Sequence, residues 1–157
     1  MNIQVDSTGP HFGEEPVLVG HGGSGTIFFS GCNLDCVFCQ NSEISHRATG
    51  KQVTSAQLAS MALNLERSGC VNVNFVTPTH VLHAVAEAVW LARAMGLTVP
   101  VVYNCGGYEA VETLRLLDGL VEIYMPDFKY ATADAGQKYS GVPDYPAVAE
   151  TAPTSGL

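Results

Sequence analysis

The sequence predicts an α/β fold built on a parallel sheet, because strand-like and helix-like hydrophobic patterns alternate along most of the chain. Four short apolar runs have strand character: 26–29, 71–76, 97–103 and 121–125. The intervening segments repeat apolar residues at helical spacing, at about 54–69, 79–95 and 110–119. Strand, helix, strand is the βαβ order that makes successive strands parallel in one sheet.

The local signals in the first half of the chain support this order. Thr26–Phe29 is a continuous apolar run, as expected of a strand buried on both faces, and it ends at Ser30, shortly before the first cysteine. Thr54 and Gln57 match a capping box that begins the first helix, and Gly69 is placed to end it.

The chain of 157 residues has the length of one domain. We expect an irregular segment at residues 1–23, a folded core at 24–145 with a weak helix at 133–139, and a disordered tail at 146–157, which ends in small and polar residues.

The composition excludes several classes of protein. Hydrophobic residues make up 46% and charged residues 14%, which predicts a globular chain. The net charge of -8, with only seven Lys and Arg, argues against nucleic-acid binding. The sequence contains no apolar run of roughly 20 residues and no signal peptide, so we expect a cytoplasmic protein that does not enter membranes. In that compartment its five cysteines are metal ligands or buried thiols.

Polar clusters follow each of the four predicted strands. The cysteines follow the first strand, and the other clusters are 77–80, 104–107, and Asp127 with Lys129. Since ligands bind beyond the carboxyl ends of parallel strands, we expect these clusters to share one site.

Cys32, Cys36 and Cys39 place three thiols within eight residues, with the spacing C-x-x-x-C-x-x-C. Three thiolates can hold an iron–sulfur cluster, and three ligands leave one iron of a [4Fe–4S] cube open for another molecule.

Two other interpretations of the cysteines remain open. A zinc site requires a fourth ligand, which His46, Cys70 or Cys105 could supply, although the sequence has no second C-x-x-C pair. The cysteines could also be buried thiols without a metal. We interpret Cys70 and Cys105 themselves as structural thiols.

These motifs resemble the radical S-adenosylmethionine (SAM) superfamily. The cysteine spacing with an aromatic residue before the last cysteine is its signature. The stretches PHFGEEPVLVG, GSGTIFFSGCNLDCVFCQNSEIS, NFVTPTH and IYMPDFKY resemble the pyruvate formate-lyase activating enzyme-like branch, over about Pro10 to Tyr145. The resemblance implies a partial (βα) barrel, of which about four βα units are present.

The resemblance also implies an activity. In such enzymes a reduced [4Fe–4S] cluster cleaves SAM to methionine and a 5′-deoxyadenosyl radical, which abstracts a hydrogen atom from the substrate. The chain would be an oxidoreductase similar to activating enzymes, with a glycyl-radical enzyme as protein substrate and flavodoxin or ferredoxin as reductant. The alternative is a catalytically incompetent protein that binds the cluster without turnover.

By the same resemblance, Cys32, Cys36 and Cys39 are the cluster ligands. Phe38 matches the aromatic position near the adenine of SAM, although it could simply fill the core.

Three further residues match the SAM pocket of the family. Lys129 would pair with the SAM carboxylate and Asp127 would accept hydrogen bonds from the ribose, although such a pair is also common in solvated loops. Asn104 would line the SAM pocket and could hydrogen-bond the ligand. Alternatively, it could belong to a turn at the start of the next helix.

The residues after the second strand depart from the family. Activating enzymes carry Gly-Gly-Glu there to hold the SAM amino group, whereas this chain has Thr77, Pro78 and Thr79. Thr77 and Thr79 could accept from the amino group, and Thr79 could equally be an N-cap. His80 and His83 receive no role.

Members of the superfamily usually have about six βα units, so the chain resembles a truncated member, from a shortened gene, an altered frame or a fragment. We expect the fourth strand to be a partly exposed parallel edge. The substrate is not readable from the sequence.

Overall fold

Six strands form one mixed, mostly parallel sheet in the computed structural model, which describes residues 3–47 and 49–154. The strand order is β3-β1-β2-β4-β5-β6. The last four strands in this order pair in parallel, and β1 pairs antiparallel with both β2 and β3. The strands are β1 (Ile3–His11), β2 (Ser24–Phe29), β3 (Lys51–Val53), β4 (Val73–Val76), β5 (Val101–Cys105) and β6 (Ile123–Pro126). The four predicted strands are therefore confirmed as β2, β4, β5 and β6, although β5 begins four residues later than predicted.

The helices follow the strands as the βαβ pattern predicts. They are α1 (Pro16–Val19), α2 (Ser42–Ser45), α3 (Ser55–Arg67), α4 (Leu82–Ala94), α5 (Val111–Leu114), α6 (Ala133–Ser140) and α7 (Tyr145–Thr154). Short 3₁₀ turns lie at Thr79–Val81 and Arg115–Leu117. The predicted capping box is confirmed, because Thr54 accepts from the amide of Gln57 and the Gln57 side chain accepts from the amide of Thr54.

The main core lies between one face of the sheet and the helices α3 and α4. Alternate residues of the parallel strands point into it, and Phe29 and Phe75 stack there with ring centroids 6.1 Å apart. Burial of each such side chain contributes about 1.5–3 kcal/mol, so this layer holds the sheet in place. The opposite strand positions, such as Phe28, Val76 and Asn104, face the other side, where the candidate site lies.

The N-terminal segment corrects the expectation of an irregular region at 1–23. Residues 1 and 2 lie outside the described residues, but β1 is a nine-residue strand paired with β2. Only Ile3 and Val5 are buried in it, and the rest of the strand is largely exposed. The hydrophobic alternation is therefore too short to indicate a strand, and pairing with the edge of β2 determines the structure instead.

The C-terminal residues also differ from the predicted disordered tail at 146–157. Residues 145–154 form α7, and 155–157 lie outside the described residues. Tyr145 and Ala149, one helical turn apart, pack with Leu34, Cys36 and Tyr130 in a second apolar cluster. Two buried positions are too few to give a clear periodic signal, which is why the sequence did not predict this helix. The weak helix predicted at 133–139 is confirmed as α6.

The sheet has free edges at β3 and β6 within the described residues, so the barrel is not closed there. No described helix is both long enough and apolar enough to cross a lipid bilayer.

Candidate functional site

A cavity of about 740 Å³ opens at the carboxyl ends of the parallel strands. Every site residue predicted from the sequence lines it, with the exception of Thr79. These residues are Cys32, Cys36, Phe38, Cys39, Thr77, Asn104, Asp127 and Lys129. The βαβ order therefore brings together side chains that lie up to about a hundred positions apart, as the rule for parallel sheets predicts.

The cysteine loop after β2 forms one wall of this cavity. The backbone amide of Leu34 donates to Cys32 Sγ at 3.4 Å, and the Ser140 hydroxyl donates to Cys36 Sγ at 2.9 Å. Burial raises the pKa of the Cys32 thiol, and the nearby sulfurs of Cys36 and Cys39 raise it further. The three cysteines thus line one cavity.

The three candidates for a fourth zinc ligand have different surroundings. Within residues 3–47 and 49–154, no three His, Cys, Asp or Glu side chains are arranged to hold one metal ion. His46 lies 3.1 Å from Asp35 and Cys70 is buried in the main core, whereas Cys105 lines the cavity and its thiol contacts the carboxylate of Glu109. The three loop cysteines line one cavity, and thiolates are the ligands that iron–sulfur clusters take.

Asp127 and Lys129 form an ion pair on the wall that follows β6. Lys129 Nζ lies 2.6 Å from Asp127 Oδ2, and both residues line the cavity. Burial alone would lower the pKa of Lys129, but the hydrogen bond and charge of Asp127 raise it overall. Lys129 therefore stays cationic, and the pair offers one cation and one carboxylate to a ligand.

Tyr145 connects the loops after β5 and β6, a role that the sequence analysis did not predict. Its hydroxyl lies 2.8 Å from the carbonyl oxygen of Gly106 and 2.7 Å from that of Asp127, and it accepts from the amide of Lys129 at 2.9 Å. A Cβ atom on Gly107 would lie only 2.1 Å from the Asp127 carbonyl oxygen, so only glycine at this position lets the two loops approach so closely. The two cavity loops are therefore held directly against each other.

Thr77, directly after β4, has a backbone conformation that threonine rarely adopts. Its φ is 59°, in the left-handed region, and among the described residues no other non-glycine has a positive φ. Its amide donates to the carbonyl oxygen of Asn104 at 2.9 Å, which connects the ends of β4 and β5. β-Branched residues in this region are strained by roughly 1–3 kcal/mol, and such strain is common at functional sites.

Thr79 does not line the cavity, although the sequence placed it beside the cofactor. Its hydroxyl donates to Glu109 Oε1 at 2.5 Å. Glu109 is only 3% exposed and also accepts from the Tyr103 hydroxyl at 3.2 Å. Sequence reasoning missed Glu109, because a single glutamate in a loop gives no signal of burial.

Phe38 and Asn104 both lie at the cavity rather than in the core. Phe38 is 54% exposed, with its ring edge-on to Tyr130 at 6.1 Å, so it does not simply fill the interior. Asn104 belongs to β5 itself, where it pairs in register with Val76 and Met125, and is not part of a helix-entry turn.

Two groups of lining or supporting residues were not assigned from the sequence. His80 Nε2 lies 2.9 Å from the carbonyl oxygen of Ser30, so this histidine supports the start of the cysteine loop. Burial lowers the pKa of His80, which keeps the ring neutral. The last residue of β1 and the connection that follows it add four lining residues: His11, Gly13, Glu14 and Glu15.

Comparison with known proteins agrees with this geometry. Residues 26–142 match the radical SAM superfamily. The chain belongs to the radical SAM superfamily. It is also 38% identical over 145 residues to an uncharacterized protein of Methanocaldococcus jannaschii. That alignment covers 86% of this chain and 40% of the relative, so the chain spans well under two thirds of the relative's length.

Membership in the superfamily gives the coarse assignment. Proteins of this superfamily typically bind a [4Fe–4S] cluster and SAM and carry out SAM-cleaving radical chemistry. The mixed α/β sheet is consistent with the partial barrel of this superfamily.

Proposed function

We propose that this chain holds a [4Fe–4S] cluster through Cys32, Cys36 and Cys39 and uses it to cleave SAM reductively. The observation that carries the proposal is that all three motif cysteines share one cavity with the Asp127–Lys129 pair. When bound, the cluster supplies the electron that breaks the sulfonium bond and gives the 5′-deoxyadenosyl radical.

The chain's own residues bind and orient the cofactor. The ammonium of Lys129 suits the SAM carboxylate, and Asp127 accepts from the ribose hydroxyls, so each would exchange part of its present ion pair for a ligand contact. Asn104 offers an amide at the end of β5, and Phe38 offers a half-exposed aromatic face to the adenine.

We further propose that the chain is an oxidoreductase of the activating enzyme-like branch, in a partial barrel of about four βα units. The resemblance over Pro10 to Tyr145 supports this branch, with a glycyl-radical enzyme as protein substrate. A flavodoxin or ferredoxin would supply the electron in the cytoplasm, where the free cysteines stay reduced.

The alternative is a protein that binds the cluster without turnover. One observation favours it: the turn after β4 presents no carboxylate for the SAM amino group, because Thr77 and Thr79 replace Gly-Gly-Glu and the Thr79 hydroxyl is bonded to Glu109.

Electron paramagnetic resonance (EPR) of the anaerobically reconstituted, dithionite-reduced chain separates the two functions. We expect a [4Fe–4S]⁺ signal that shifts on addition of SAM, together with release of 5′-deoxyadenosine. Cys32→Ser should abolish the cluster, whereas Cys70→Ala, a thiol buried in the main core, should retain it. A signal indifferent to SAM would favour the alternative, and a wild-type chain that holds no cluster would refute both.

A further inference from the structure

Glu109 is a buried carboxylate that the proposed chemistry does not use. It lies between β5 and α5, is 3% exposed, and takes part in none of the ion pairs among the described residues. Its neighbours are hydrogen-bond donors: the hydroxyls of Thr79 and Tyr103 and the thiol of Cys105. Because burial of a carboxylate without a cation is costly, a purely structural position would favour a neutral residue.

The partners of Glu109 belong to the two strand ends that form the cavity. Thr79 lies two residues after the strained Thr77, and Cys105 directly follows Asn104. Thr77 and Asn104 line the cavity and are joined by a backbone hydrogen bond, whereas Glu109 is not among the lining residues. Glu109 therefore does not line the cavity itself, but it contacts residues close to both partners of this hydrogen bond.

We propose that Glu109 is a positioning residue of the cofactor cavity. By accepting hydrogen bonds from Thr79 and from the end of β5, it fixes the turn after β4 against β5 and holds Thr77 in its left-handed conformation. The inference rests on the proposed function only for the identity of the ligand, because the positioning itself is a property of the cofactor-free chain.

Glu109→Gln and Glu109→Ala test the role, with Glu112→Ala as the matched control at an exposed glutamate three residues away. Glutamine keeps an acceptor for Thr79, so we expect the SAM dissociation constant of the reconstituted protein to change less than about threefold, as for the loss of a weak interaction. Alanine leaves several buried donors unpaired, so we expect about 10- to 100-fold weaker SAM binding. Glu112→Ala should bind SAM as the wild type does.

Hydrogen–deuterium exchange of the cofactor-free chain provides a second readout. In Glu109→Ala we expect the amide of Thr77 to exchange at least about tenfold faster than in the wild type, because its bond to Asn104 opens more often. In Glu109→Gln it should keep wild-type protection. If Glu109→Ala does not fold, Thr79→Val, which removes one donor of the same contact, is compared with Thr79→Ser, which keeps the hydroxyl.

The outcomes separate this inference from the proposed function. If Glu109→Ala lowers the unfolding midpoint but leaves the SAM dissociation constant and the Thr77 exchange rate unchanged, Glu109 is an ordinary core residue and the inference is wrong. If the wild-type chain does not bind SAM, the proposed function fails, and the exchange of Thr77 still decides whether Glu109 positions the turn.

Discussion

Replacement of Thr77 with glycine should stabilise the cofactor-free chain, although it deletes a side chain. Thr77 has a φ of 59°, which costs a β-branched residue roughly 1–3 kcal/mol. Glycine adopts this conformation without strain but loses about 0.5–1 kcal/mol more conformational entropy on folding. The net gain is therefore about 1 kcal/mol, which for a domain of this size corresponds to an increase of about 2–4 °C in the unfolding midpoint.

Thermal unfolding followed by circular dichroism, under reducing conditions, measures this shift. Thr8→Gly is the matched control, because Thr8 is exposed within β1 and has no positive φ. There the same substitution should destabilise the chain by about 0.5–1 kcal/mol. If Thr77→Gly lowers the midpoint as much as Thr8→Gly does, the strain argument is wrong and the threonine side chain contributes packing that outweighs it.

The same variant separates strain from ligand contact. If the Thr77 hydroxyl binds SAM, the glycine variant should be more stable yet bind SAM about 2- to 12-fold more weakly, the usual value of one hydrogen bond. Unchanged SAM affinity would leave Thr77 as a backbone element of the cavity wall only.

Three further changes test the packing around the site. Asn74 is fully buried in β4, and neither its side-chain nitrogen nor its side-chain oxygen has a hydrogen-bond partner among the described residues. Asn74→Val should therefore raise the free energy of unfolding in urea by about 1–3 kcal/mol. A decrease would show that the amide is bound to a partner. Tyr145→Phe should cost about 1–3 kcal/mol, because it removes the hydrogen bonds of this hydroxyl to part-buried backbone groups of two cavity loops, whereas Tyr139→Phe, at a partly exposed side chain, should be nearly neutral. Burial raises the pKa of Glu109 above its ordinary value of 4.5, so the folded state binds this proton more tightly than the unfolded state. The stabilising contribution of Glu109 is therefore fully present below pH 4.5 and is lost as pH rises through the raised pKa. Because glutamine does not titrate, the Glu109→Gln variant should gain stability relative to the wild type as pH rises. A constant difference in unfolding free energy between pH 4 and 8 would contradict this reasoning.

The parallel strands were predictable because they are buried on both faces and appear as short continuous apolar runs. Val73–Val76 is buried at every position, and Ser24–Phe29 at all but one. β1 was not predictable in this way, because most of its residues are exposed and its strand character comes from hydrogen bonds to β2. The local hydrophobic pattern thus predicted the parallel strands and missed the antiparallel strand β1. The connection from β1 to β2 adds lining residues to the cavity.

The same division applies to the candidate site. The cysteines, Asp127 and Lys129 could be placed because each lies in a loop that follows a strand, and position after a strand end determines location on a parallel sheet. Thr79 also follows a strand, but its hydroxyl turns to Glu109, thirty residues away along the chain, and sequence spacing contains no information on that contact. Tyr145 likewise acts across eighteen residues to reach the Asp127 carbonyl.

The residues that are strained, or that bury a polar group at a cost in stability, are concentrated in β4 and in the turns that follow β4 and β5. Thr77 is strained, Glu109 is a buried carboxylate without a cation, and Asn74 is a buried amide without a partner among the described residues. Each costs on the order of 1–3 kcal/mol, a large fraction of the stability of a typical domain. Since a glycine, a glutamine and a valine would relieve these costs, stability alone does not explain the residues present, and such departures are expected where a site is preorganised for a ligand. Thr77 lines the cavity that contains Cys32, Cys36 and Cys39, Glu109 bonds to Thr79 just outside it, and Asn74 lies two residues before Val76, which lines it.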